Sequence, residues 1–156
     1  MSDIGYPEGI VERELREHGV YASNTVGYSM SPLLRHHKDV VIIEPPSGIL
    51  KKYDVALYPD GKGNYILHRV IAVRDGEYII RGDNTFVKEH VPHSAVVGVL
   101  VAYNRGGKRH DCKELGYRMY SRFWCFIYPL RSLWRKVKFA LARLKKKLFG
   151  KRKRDS

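Results

Sequence analysis

The chain has 156 residues, with 44% hydrophobic and 29% charged side chains, a balance that suits one globular domain plus an appendage and excludes wholesale disorder. Its net charge of +13 is unevenly spread: residues 1–104 carry 11 Lys/Arg against 13 Asp/Glu, and residues 105–156 carry 18 against 3. A near-neutral domain over 1–104 and a cationic tail over 105–156 are therefore expected, the tail acting as an electrostatic anchor. Two cysteines, Cys112 and Cys125, are too few for a disulfide framework, and no Cys/His cluster has zinc-ligand spacing, so reduced thiols and no metal or cofactor are expected.

In chain order, residues 1–19 are polar and acidic without an apolar run. They are expected to be neither a secretory signal nor a membrane span, which points to the cytoplasm. Residues 7–19 read as a short helix with Ile10, Val11 and Leu15 apolar. Residues 21–26 read as extended, followed by a turn at Gly27-Tyr28-Ser29-Met30-Ser31-Pro32. Strands are expected at 40–44, 55–58, 65–73, 77–81 and 96–103. Turns fall at Pro45-Pro46-Ser47-Gly48, at 59–64, at Arg74-Asp75-Gly76 and at Gly82-Asp83-Asn84, and a loop at 84–94. The fold class is mainly β, antiparallel, with a short N-terminal helix. Leu130, Leu133, Trp134, Val137, Leu141, Leu144 and Leu148 recur at helical spacing among lysines and arginines, so a basic amphipathic helix closes the chain, ending in Lys151-Arg152-Lys153-Arg154.

A serine hydroxyl is a poor nucleophile until a base takes its proton. Ser29 lies in a turn where Gly27 permits unusual backbone angles and Pro32 fixes the exit. An ordinary Gly/Ser/Pro loop has the same composition. His68 interrupts the apolar strand Tyr65-Ile66-Leu67-His68-Arg69-Val70-Ile71, where alternation puts Ile66, His68 and Val70 on one face. It reads either as a base held neutral or as a hydrogen-bonded structural histidine. The other histidines sit in polar segments and are expected to be solvated. Asp83 either orients His68 or ties down its own turn.

Together, Gly27-Tyr28-Ser29-Met30-Ser31-Pro32, His68-Arg69-Val70-Ile71 and Gly82-Asp83-Asn84 resemble, in order, three signature boxes of the signal peptidase I and LexA-type serine peptidases. The base in that superfamily is Lys in the bacterial members and His in the archaeal and endoplasmic-reticulum type, so this chain is similar to the His-using branch. The resemblance covers about residues 20–103 and implies a LexA/signal-peptidase-like β-domain. It also implies Ser29 as nucleophile, His68 as general base and Asp83 as the support of His68, with Glu89 near the place of a second acid. Oxyanion and substrate contacts fall to Ser29, Gly27 and Met30, through backbone N–H groups and the Ser29 N–H first. The implied activity is cofactor-free serine endoproteolysis of a peptide or precursor protein. No N-terminal span and no preceding helix-turn-helix are expected, which departs from the pattern. The basic segment 130–154 is expected to lie on an anionic membrane surface, with a partner contact or nucleic acid as other uses. A scaffold that keeps the fold without catalysis is the alternative reading.

Overall fold

β-Branched and aromatic residues are frequent in residues 39–105, which supply most of one curled antiparallel sheet. A computed structural model of the chain describes residues 9–151, with side-chain burial described to residue 146. The helices are α1 (Ile10–His18), α2 (Leu115–Phe126) and α3 (Tyr128–Lys151). The strands are β1 (Tyr21–Asn24), β2 (Asp39–Glu44), β3 (Val55–Pro59), β4 (Tyr65–Val73), β5 (Glu77–Arg81), β6 (Glu89–Pro92), β7 (Gly98–Arg105) and β8 (Lys108–Asp111). They run in the order β1-β2-β7-β3-β4-β5-β6, with β8 paired to β7. The expected mainly β class, with a short N-terminal and a C-terminal helix, is thus observed.

Both faces of the sheet are covered, and β3 shows why. Its alternate residues Val55 and Leu57 join a cluster with Val11, Leu15, Met30, Leu34 and Ile43. Ala56 and Tyr58 join a second cluster with Val70, Tyr78, Ile80 and Val91. Helix α1 enters the first cluster through Val11 and Leu15, one turn apart. It ends where Gly19, at φ +71°, donates its N–H to the Leu15 carbonyl at 3.0 Å.

Three elements depart from expectation. The stretch 84–94, expected as loop, contains β6, which pairs with β5 from Glu89 to Pro92. Only Val91 of its four residues is buried, so the apolar alternation that announces a strand is missing. The composition break at 105 is a hairpin: Gly106 and Gly107, at φ +55° and +79°, turn β7 into β8. Helix α2 forms where bulky aromatics obscure the period; its inward residues Tyr117, Tyr120 and Ser121 carry hydroxyls.

The chain divides into two compact units, residues 1–122 and 123–156. The first therefore reaches past the charge boundary at 105 and takes in β8 and most of α2. The second contains α3, 24 residues or about 36 Å of helix. Leu130, Leu133, Trp134, Leu141 and Leu144 are all exposed on it, and the Arg131 guanidinium sits 3.8 Å over the Trp124 ring. No described helix is long and apolar enough to cross a membrane. Residues 1–8 and 152–156, which include most of the expected terminal Lys/Arg cluster, lie outside the described residues.

Candidate active site

Residues 25–39 form the loop that carries Ser29, and it is tied at its base. Thr25 Oγ1 lies 2.5 Å from the Arg35 carbonyl and 3.1 Å from that of Asp39. The wholly buried Asp39 carboxylate accepts from the Arg35 N–H at 2.8 Å and from Arg105 Nη2 at 2.5 Å. Burial pushes the Asp39 carboxyl up, but the Arg105 and Arg35 contacts outweigh it and hold the group below the usual carboxylate range. At the tip, Gly27 has φ +91°, a conformation that favours glycine. The Ser31 N–H donates to the Tyr28 carbonyl at 3.1 Å, and the Leu34 N–H to that of Met30 at 3.0 Å. The Met30 side chain is buried in the first core cluster. Ser29 is thus held half-buried on a closed turn.

The Gly82-Asp83-Asn84 turn closes against this loop, and each of its residues has a separate task. The Asn84 N–H donates to the Ser29 carbonyl at 2.7 Å, and Asn84 Nδ2 to that of Tyr28 at 3.3 Å. Gly82 sits where a methyl group would lie 2.7 Å from the Ser29 carbonyl oxygen and 2.9 Å from His68 Nε2. Only a residue without Cβ allows this approach. The Ser29 backbone carbonyl and the His68 ring therefore both close on Gly82, and both residues line a groove of about 650 Å³ whose apolar wall includes Leu34, Val41, Leu57 and Leu67.

His68 is buried on β4, opposite Ala56 in the register. As alternation implied, Ile66 and Val70 pack in the second cluster; Tyr58 of that cluster reaches the ring with its hydroxyl. His68 Nδ1 is 2.9 Å from Glu89 Oε1, and Tyr58 Oη donates to Glu89 Oε2 at 2.9 Å while lying 3.3 Å from Nδ1. Facing a carboxylate, Nδ1 carries the proton, which leaves the Nε2 lone pair towards Gly82 and Ser29. Burial lowers the His68 pKa and outweighs the opposing attraction of Glu89 and Asp83, so the net shift is downward from 6.5. The ring is a neutral acceptor at physiological pH.

Asp83 does not fill its expected place beside His68. Its carboxylate accepts from Arg69 Nε at 2.7 Å, Arg69 Nη2 at 2.8 Å and Tyr120 Oη at 3.1 Å. Arg69 Nη1 continues to the Tyr53 carbonyl at 2.9 Å and Ser121 Oγ at 2.8 Å. His68 and Arg69 are neighbours on β4 and point to opposite sides; Asp83 belongs to the side of Arg69, and Glu89 reaches His68. Gly27 also differs from expectation: its N–H donates to His36 Nδ1 at 2.9 Å, so it is committed and does not serve an oxyanion. Nor are all the other histidines solvated. The His36 ring is half-buried against Tyr28, His93 packs on Tyr78 with a buried Nε2, and His110 stacks on Tyr103.

Tyr58, Arg69 and Asn84 are the residues that sequence reasoning did not single out. Tyr58 had a faint signal, a phenol inside an apolar strand whose buried hydroxyl must find a partner. Neither Cys112 nor Cys125 forms a disulfide, and burial pushes the Cys112 thiol up to about 12. That thiol is not a nucleophile at neutral pH. No protein-family model matches the chain, and no curated protein matches it.

The Glu89 contact gives a pH-dependent expectation for phosphonylation of Ser29 by a fluorophosphonate, in which the Oγ–P bond forms and fluoride leaves. The reactive form has His68 neutral, so the rate is full above 6.5 and is lost as pH falls through the depressed His68 pKa. Glu89→Gln removes the two Glu89 contributions that raise that pKa and leaves the weaker one of Asp83. The acid limb is then expected to move to lower pH while the plateau rate falls about 10-fold or more, because the developing imidazolium loses its counter-charge. A rate–pH profile of both proteins checks the sign; an acid limb moved to higher pH would remove Glu89 from this role.

Proposed function

We propose that the chain is a serine endopeptidase of the signal-peptidase type, with Ser29 as nucleophile and His68 as general base. The approach of both the Ser29 backbone carbonyl and His68 Nε2 to Gly82, with Ser29 and His68 lining one groove, supports this reading. Ser29 Oγ attacks the scissile carbonyl carbon as its proton passes to His68 Nε2, giving a tetrahedral oxyanion. Its collapse breaks the C–N bond, the imidazolium protonates the departing amine, and an acyl-enzyme remains. A water, deprotonated by the same nitrogen, then hydrolyses the ester. Glu89, steadied by the Tyr58 hydroxyl, supports the charge that His68 acquires. Backbone N–H groups of the Ser29 turn serve the oxyanion, the Ser29 N–H first. The apolar wall of the groove suits a peptide or precursor protein with apolar side chains next to the cleaved bond.

Intact-mass measurement after incubation with a fluorophosphonate tests the reading. The wild type is expected to gain one adduct, mapped to Ser29, and Ser29→Ala none. Equal labelling of both proteins would take Ser29 out of the mechanism.

The exposed apolar and cationic residues of α3 support a second part of the proposal, peripheral attachment to the cytoplasmic face of an anionic membrane. Flotation with phosphatidylglycerol vesicles is expected to persist in part at 0.5 M salt, where screening removes the Coulombic share. Trp134→Ala is expected to abolish that residual fraction. Complete release of the wild type by salt would restrict the attachment to charge alone.

A further inference from the structure

A second cleft, of about 740 Å³, lies in the first unit between the 47–54 segment and the residues around the start of α2. It shares no lining residue with the Ser29 groove. Five cationic side chains line it: Lys51 and Lys52 before β3, Lys113 after β8, and Arg118 and Arg122 one turn apart on α2. The single acid in the lining is Asp54, whose carboxylate already accepts the Lys51 N–H at 2.8 Å. The positions come from three separate parts of the chain, so the concentration of charge is made by the fold. It also has a built interior. Ser121, almost wholly buried, lines the cleft while its hydroxyl accepts from Arg69 Nη1 at 2.8 Å.

Cations gathered around a concave surface repel one another, and that repulsion is relieved by an anion that several of them can reach. Two arginines on one helix face, flanked by lysines, match the several oxygens of a phosphate group, which arginine binds as a fork and lysine as a point charge. Ile49 stands on the rim, 62% exposed, and Leu115 and Met119 are exposed beside Arg118 and Arg122 on the outer side of α2. Apolar groups at the edge of a cationic cleft are the surroundings that a phospholipid headgroup and its first acyl carbons require.

We propose that this cleft binds a phosphate-bearing anion, either free or as the headgroup of an anionic lipid. The proposal is independent of the hydrolase reading, since Ser29 and His68 take no part in it.

Calorimetric titration of the full chain tests it with two probes, inorganic phosphate and dihexanoyl phosphatidylglycerol below its micellar concentration. Saturable binding of one equivalent is expected, weakened at least 10-fold in Lys52→Gln/Arg118→Gln and changed less than 2-fold in Lys138→Gln/Lys145→Gln on α3. These side chains are exposed, and an unchanged unfolding midpoint confirms that each variant is folded; Lys113→Gln/Arg122→Gln provides a second pair for the same comparison. Binding of phosphate itself supports a free anion as the source, and binding of the lipid alone supports a headgroup. Absence of saturable binding of both probes, or equal loss in the cleft and α3 pairs, would overturn the proposal.

Discussion

His68→Ala is expected to slow phosphonylation of Ser29 by a fluorophosphonate about 10²- to 10⁴-fold, the range that a positioned general base supplies. On the proposed mechanism the loss comes from one atom. Nε2 is the acceptor that the fold brings to Gly82 beside the Ser29 carbonyl, and in the alanine variant that acceptor is gone. The native ring is neutral because burial outweighs the pull of Glu89 and Asp83, so nearly every wild-type molecule is competent at pH 7.5. The variant should therefore fall short wherever the native His68 is neutral and lose the acid limb that His68 titration produces. His68→Gln separates packing from chemistry, since it fills much of the volume and restores no base. Equal phosphonylation rates in wild type and both variants would show that another group activates Ser29.

The second large effect concerns stability. Asp83→Ala is expected to cost about 3–5 kcal/mol, because it leaves the fully buried Arg69 guanidinium without its carboxylate. For a chain of this length that is a fall of roughly 10–15 °C in the unfolding midpoint. The pair is bidentate, and the network runs on through Tyr120, Ser121 and the Tyr53 carbonyl. Removing one member therefore strands several hydrogen-bonding groups at once. The double variant Arg69→Met/Asp83→Leu is expected to recover much of the loss, since apolar residues of similar volume remove both charges together. Thermal unfolding of the three proteins decides the point. An Asp83→Ala midpoint within 2 °C of wild type would mean that the pair contributes little.

These two expectations assign different work to adjacent residues of one strand, and that separation bears on what could be read from the sequence. Ser29 and His68 were legible because each sits in a segment whose local pattern is unusual: a serine between a positive-φ glycine and a proline, and a histidine inside an apolar strand. The order of the three boxes added the resemblance. Asp83 was legible as a turn residue and illegible as a partner. Whether a carboxylate reaches position 68 or 69 depends on which side of β4 its turn lies, and sequence separation does not contain that information. Similarly, β6 and β8 carry too few buried apolar residues to announce themselves. Their strand conformation comes from pairing with β5 and β7.

The amino-acid order alone determined the antiparallel β class, the short first helix, the cationic C-terminal helix, and the serine and histidine on which the proposed chemistry turns. These follow from local physics: side-chain period, glycine and proline conformations, and net charge along the chain. The tertiary structure alone decided that Glu89 and Tyr58 hold His68, that Asp83 neutralises Arg69, that the Gly27 N–H is committed to His36, and that five cations share one cleft. Those outcomes depend on the direction in which side chains leave strands distant in sequence. Curling and register of the sheet set that direction, and no window of residues encodes it.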